Sequence, residues 1–338
     1  MEATTSKIMQ TTEQKLAALL MVVTLAYGFK SANEVKTLRQ QEIEAAKSKK
    51  AQRTPSASKI QDHPVASWLI TNASVWFLVY LKDKLVGEMD PTQSFAVNFA
   101  KLWGANIVLV DGAMAINWLL INKVYSHVPF FSEKRVKQTL FDVLFDYLKC
   151  NFVAKTLTGI FQVRGFMQKK TPLRVDTAPW RPLRFLARLA WFRVFVDVFF
   201  WAGHIVLHKK QFYSWNHRTH HEHSSTQLTT NYHFDWWDLV IEAYIPFVFG
   251  AIAYKKAFGA IDPFDMSLLS TYIFWHEIES HAGKPLPTMP LLAPLATWTQ
   301  RFDDFNSFFH EVHHRTLKYN LSITPWFDQL MGTDRWEL

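Results

Sequence analysis

Hydrophobic positions in this chain gather into long runs rather than short alternations, and those runs predict helices. Leu16 to Phe29 (LAALLMVVTLAYGF) falls short of the roughly 20 residues a bilayer crossing needs and predicts an anchor or shallow membrane helix. Lys30 to Asp62 is charged and alanine-rich before turning to Ser and Pro, the pattern of a surface helix followed by a linker. Val65 to Leu81, Trp103 to Ile121 and Leu189 to Leu207 predict membrane spans. Thr139 to Phe161 interleaves apolar residues with Asp142, Asp146, Lys149 and Lys155, as a helix lying in the membrane interface does. Trp237 to Tyr254 and Met266 to Trp275 are further apolar stretches around the turn at Asp262-Pro263, the second so short that it predicts a re-entry or a tilted span. The run GKPLPTMPLLAP after His281 predicts a surface loop.

Composition strengthens the membrane reading. Of 338 residues, 49% are hydrophobic, with 28 Phe, 14 Trp and 10 Tyr, and Trp and Tyr favour the membrane–water boundary. A mean hydropathy of -0.05 leaves a sizeable water-facing portion. The net charge of +8 sits in clusters beside the apolar runs, at Lys30 to Lys59 and Arg164 to Arg184, as in segments retained on the cytosolic side. No nucleic-acid-binding signature accompanies it. One cysteine, Cys150, excludes an intrachain disulfide and any thiolate-rich metal site.

Polar residues inside the runs carry the chemistry. Asp111 lies within a predicted span, where an acid is a candidate functional group. Arg193, Asp197, His204 and His208 share one helical face, which predicts that Asp197 orients a metal-bound imidazole while Arg193 offsets its charge. From His204 the chain places five histidines in eighteen residues: His204 and His208 four apart, then His217, His220 and His221 three and four apart, each set on one side of a helix. The H-x-x-H-H spacing returns at His310, His313 and His314, with His276 and His281 between. A single zinc uses three or four ligands and would leave most of these imidazoles idle, so two metals are implied. Iron also supplies one-electron steps toward dioxygen and C–H bonds that zinc lacks.

His310-Glu311-x-x-His314 also reads as the H-E-x-x-H of zinc proteases, in which the glutamate is the general base. A membrane zinc metalloprotease using His310, Glu311 and His314 is the alternative, although it leaves the other clusters unexplained. Glu311→Gln separates the two, abolishing a protease while leaving iron loading of an oxygenase largely intact. A catalytically idle metal-binding membrane protein is a further class.

Taken jointly, His204-x-x-x-His208, His217-x-x-His220-His221, Ser280-His281-Ala282-Gly283, His310-x-x-His313-His314, Tyr319-Asn320 and Phe327-Asp328-Gln329-Leu330-Met331-Gly332-Thr333 resemble the fatty acid hydroxylase and sterol desaturase superfamily of membrane di-iron enzymes. The resemblance implies an all-α, multi-span membrane protein with a cytosol-facing, histidine-rich di-iron domain in the endoplasmic reticulum. It implies hydroxylation, oxidation or desaturation of a lipid with dioxygen as co-substrate. Electrons would come from a separate donor such as cytochrome b5 with an NAD(P)H reductase. The expected organisation is an N-terminal anchor helix and polar linker over 1–63, membrane spans and an interfacial helix over 64–188, and the di-iron domain over 189–338. The expected ligands of two irons are His204, His208, His217, His220, His221, His281, His310, His313 and His314, with His276, His233 and Asp197 as further metal or supporting residues and no catalytic side chain beyond the ligands. A sterol-type substrate is favoured because the Ser-His-x-Gly segment and the ending resemble that branch. The sequence departs from it at Asn231-Tyr232-His233-Phe234-Asp235, where a Tyr-x-His-Pro-x-Glu segment is usual.

Overall fold

The computed structural model describes residues 22–42, 64–167, 181–259, 261–284 and 306–336, with positions 19 and 44, and among these the chain is helical without a strand. Residues 22–42 form α1. The further helices are α2 (Pro64–Leu85), α3 (Phe95–Val124), α4 (Leu140–Met167), α5 (Arg181–Leu207), α6 (Trp236–Phe258), α7 (Pro263–Ser280), α8 (Asn306–Thr316) and α9 (Pro325–Met331). The linker expected up to position 63 and most of the Pro-rich loop after His281 lie outside the described residues.

Local chemistry sets the helix ends. Asp262 caps α7 by accepting from the N–H groups of Phe264 and Asp265, with Pro263 in the first turn where its missing N–H is not needed. Ser94 caps α3 in the same way, through the N–H of Val97. Two helices carry widened π turns: α3 at Ile107–Asp111 and Leu120–Val124, and α6 at Leu239–Tyr244.

Three described helices are long and apolar enough to cross a membrane: α3, residues Leu183–Leu207 of α5, and α6. On α2, Thr71 donates to Glu279 and Asn72 accepts from the Tyr272 hydroxyl of α7, while Leu69, Trp76, Phe77 and Tyr80 are exposed. The helix α7, expected to re-enter or tilt through the membrane, is instead a largely buried central element packed against α2, α3, α5 and α8. Along α4, Phe141, Phe145, Leu148 and Phe152 form an exposed apolar stripe, and the other side packs on α3. Asp111 accepts from the Tyr147 hydroxyl of α4 at 3.0 Å, a helix-to-helix bond far from the histidines in sequence.

One apolar core joins Val75, Leu78, Leu109, Phe192, Tyr254, Leu268 and Trp275, so residues from 64–188 and from 189–338 pack together. The helix α5 also runs unbroken through position 188. Its pairing with α6 is close: a Cβ on Gly250 would meet Val196 at 2.6 Å. A second cluster fastens α1 and α9 to α5, with Ala32 and Phe327 around the buried Trp201. Ion pairs Arg39–Asp334 at 2.8 Å and Lys209–Glu34 at 2.6 Å complete that attachment. The result fixes the C-terminal end of α5, where the first two histidines sit.

Candidate metal centre

All nine expected ligands come together, in two adjoining groups whose ligand nitrogens lie within 4.8 Å of one another in each: His204, His208, His217, His221 and His313, and His220, His281, His310 and His314. The two H-x-x-H-H segments divide in the same manner. In each, the first and last histidines join one group and the middle one joins the other, so that His217 and His221 meet His313, while His310 and His314 meet His220. The segments reach this by different backbones. His310, His313 and His314 ride on the regular helix α8. His217 ends a π turn over Tyr213–His217, and His220 begins a 3₁₀ turn over His220–Glu222. The expectation that His217, His220 and His221 share one side of a helix is therefore corrected: they follow a π turn and a 3₁₀ turn, and the middle histidine of each segment joins the other group.

Six imidazoles are oriented through Nδ1. His204 points it at the carbonyl of Leu321 (2.8 Å), His313 at Tyr319 (2.7 Å), His314 at His223 (2.9 Å), His281 at Glu277 (2.9 Å) and His220 at His233 (3.3 Å). His217 points it at both carboxylate oxygens of Asp238, at 2.9 and 3.0 Å. A carbonyl or carboxylate only accepts, so each of these Nδ1 atoms carries the proton and each Nε2 of a neutral ring carries a lone pair. Those Nε2 atoms face one another: His204 and His217 at 3.0 Å, His281 and His220 at 3.4 Å. Lone pairs aimed at lone pairs repel unless a cation lies among them, and this donor set suits a transition metal in each group.

Burial keeps these rings neutral. Desolvation is the largest cause lowering the pKa of His208, His220, His221, His310 and His314, with neighbouring imidazoles adding to it. Burial pushes His281 down to about 4 and His313 down to about 3. Metal ligation needs the deprotonated nitrogen, so the surroundings prepare the form that binds.

The C-terminal ending builds the carbonyls that aim these rings. The Asp328 carboxylate accepts from the N–H groups of Leu321 and Ser322 and from the hydroxyls of Ser322 and Thr333. Gly332 closes α9 in the left-handed conformation at φ 70°. Asn320 adopts φ 59° and donates its amide to the Phe309 and Arg335 carbonyls. Gly283 is required for contact: at φ 67° a Cβ would come within 2.3 Å of the Thr226 carbonyl, in the loop after the second cluster.

The supporting residues expected from sequence lie outside both groups. Asp197 does not orient an imidazole; it accepts from the N–H of Thr324 at 3.0 Å and from its hydroxyl, holding the 321–324 loop instead. His276 faces the Ile323 carbonyl at 3.1 Å. His233 reaches Asp146 at 2.6 Å and stacks on His223, beside a cavity lined by Val136, Asp142 and Glu222. Glu311 is not placed as a protease base. Its buried carboxylate accepts from the Ser225 hydroxyl, the Thr226 N–H and hydroxyl, and Arg315, all at 2.6–2.8 Å. His310 and His314 meanwhile share their group with two further imidazoles, which a protease zinc has no use for.

Two residues escaped the sequence reading. Asp238 and Glu242 sit on the first turns of α6 and form a third buried cluster with His217. The signal was available, since acids inside an apolar run had already marked Asp111 and Asp197.

Residues 189–333 match the family model described as Fatty acid hydroxylase. Two curated relatives, both named "Fatty acid hydroxylase domain-containing protein 2", resemble the chain. The Macaca fascicularis protein is 26% identical over 151 residues, covering 44% of this chain and 39% of its own. The Homo sapiens protein is 22% identical over 201 residues, covering 59% of this chain and 52% of its own. The chain thus spans about half or less of the relatives' length. No solved structure matches it significantly. The matched segment, which holds both histidine groups, is thus what resembles the fatty acid hydroxylase family.

Proposed function

We propose that this protein is a membrane di-iron oxygenase that uses dioxygen to hydroxylate, oxidise or desaturate a lipid during lipid biosynthesis. The observation that carries the reading is the convergence of nine imidazoles, eight of them buried, into two adjoining groups. His204, His208, His217, His221 and His313 would hold one ion, and His220, His281, His310 and His314 the other. Iron bound there supplies the one-electron chemistry needed to activate dioxygen and attack an unactivated C–H bond.

The chain's own residues prepare that chemistry. Carbonyls of Leu321, Tyr319, His223, Glu277 and His233 fix ring orientation and tautomer, which strengthens each Nε2 as a donor. Asp238 does the same for His217 with a full negative charge. Eight of the nine rings are buried and only His208 is half-buried, which limits water at the reacting centre. The adjacent apolar helices α5 and α6 would bring a lipid chain to it from the bilayer.

A sterol-type substrate is favoured over sphingoid or fatty acyl lipids, on the form of the Ser280–Gly283 and Phe327–Thr333 segments. The proposed setting is the endoplasmic reticulum with the site on the cytosolic side. Electrons would arrive from a separate acidic haem donor such as cytochrome b5, steered by the net charge of +8. Lipid profiling of cells lacking the protein, followed by turnover of the accumulated lipid by purified protein under ¹⁸O₂, tests the reading. Label in the product, or its stoichiometric desaturation with O₂ consumption, is expected. An unchanged lipid profile with proteolysis by the purified protein contradicts it.

A further inference from the structure

We infer that Glu242 is an anionic oxygen ligand of the five-imidazole group, making the two metal positions chemically unequal; this rests on the di-iron reading above. Glu242 lies on the π turn of α6 and is 5% exposed. One carboxylate oxygen is 3.7 Å from Nε2 of His204, the lone-pair-bearing nitrogen. The other is 3.7 Å from Nδ1 of His217, whose proton is already taken by Asp238, and Glu242 lies against the Asp238 carboxylate as well. Two carboxylates side by side and an imidazole lone pair facing one of them are costly as anions in a buried site unless a cation sits among them.

A separation of 3.7 Å suits two donors on one ion, since each would sit about 2.1 Å from it. Asp238 and Glu242 are four apart at the start of α6 and so share its His217 side. No acid joins the group of His220, His281, His310 and His314. The first position would thus have five nitrogen donors and an anionic oxygen, and the second four neutral nitrogens. An anionic donor stabilises the more oxidised metal, so the two ions would differ in potential as well as affinity.

The test uses the purified full chain loaded with ferrous iron, comparing wild type, Glu242→Gln and Glu242→Asp. Iron per chain after chelator challenge, X-ray absorption and unfolding of the metal-free proteins are read together. Wild type should retain two irons with an oxygen donor in the absorption data. Glu242→Gln should lose iron from one position, with affinity lowered about 10–100-fold, while its metal-free unfolding temperature holds; Glu242→Asp should recover part of the loss. The inference is overturned if Glu242→Gln keeps both irons with unchanged affinity and spectrum, or if metal-free stability falls and Glu242→Asp rescues nothing. A wild type that takes up fewer than two irons overturns the di-iron reading itself, and this inference with it.

Discussion

The two imidazole groups share orientation by backbone carbonyls and differ in what is added to it. In the five-membered group, carbonyls of Leu321 and Tyr319 aim His204 and His313, and carboxylates of Asp238 and Glu242 on α6 stand beside His217. In the four-membered group, Nδ1 of His281, His314 and His220 faces the carbonyls of Glu277, His223 and His233. The His223 carbonyl belongs to a loop, residues 223–226, that the side chain of Glu311 holds. The comparison teaches that carboxylates support one site directly and the other only through a loop, so the same kind of mutation should affect them differently.

Acid should act on both groups and give the largest effect. Burial holds His281 at about 4 and His313 at about 3, below the roughly 6.5 of a free imidazole. The unfolded chain takes up these protons first, so the stabilisation is complete above about pH 6.5 and is lost as pH falls through that range toward 4. His281 alone contributes on the order of 3 kcal/mol. Unfolding of the metal-free protein should fall steeply between pH 7 and pH 4. A flat profile would mean that these rings are already charged or solvated.

Glu311→Gln comes next. Sequence alone predicted largely intact iron loading, but an amide there removes the charge facing Arg315 and sets an NH2 against either Arg315 or the Thr226 N–H. We expect about 2–4 kcal/mol of destabilisation and selective loss of one iron per chain, from the group that contains His314. Denaturant melts combined with iron counting check this, and equal loss from both positions would erase the distinction between the groups. Asp238→Asn should reverse the selectivity, weakening iron in the five-membered group about 10–100-fold and sparing the other, as chelator competition can resolve. His276→Gln should have the smallest effect, roughly 1 kcal/mol from the bond to the Ile323 carbonyl, with two irons retained. Loss of iron in that variant would bring His276 into the ligand set.

Much of the site was legible because helical spacing and ligand chemistry coincide: His204 with His208, and His310 with His314, are i, i+4 pairs on regular helices. What spacing could not give was which histidines of distant segments share a group, or the arrival of Glu242 beside His217. Neither has a periodic signature. The roles of Asp197 and Glu311 were misread for another reason. Each lies in register with a histidine, but loops distant in sequence, at Thr324 and at Ser225–Thr226, supply stronger donors. The helical class followed from the apolar runs, whereas the burial of α7 was not legible, because a buried core helix and a membrane helix present similar hydrophobicity.

The most direct measurement is the identity and number of metals in the purified, fully loaded wild-type chain, by elemental analysis with Mössbauer spectroscopy. The account predicts two irons per chain in two distinguishable, nitrogen-rich environments. A single zinc, or one iron bound by only part of the nine histidines, would contradict it.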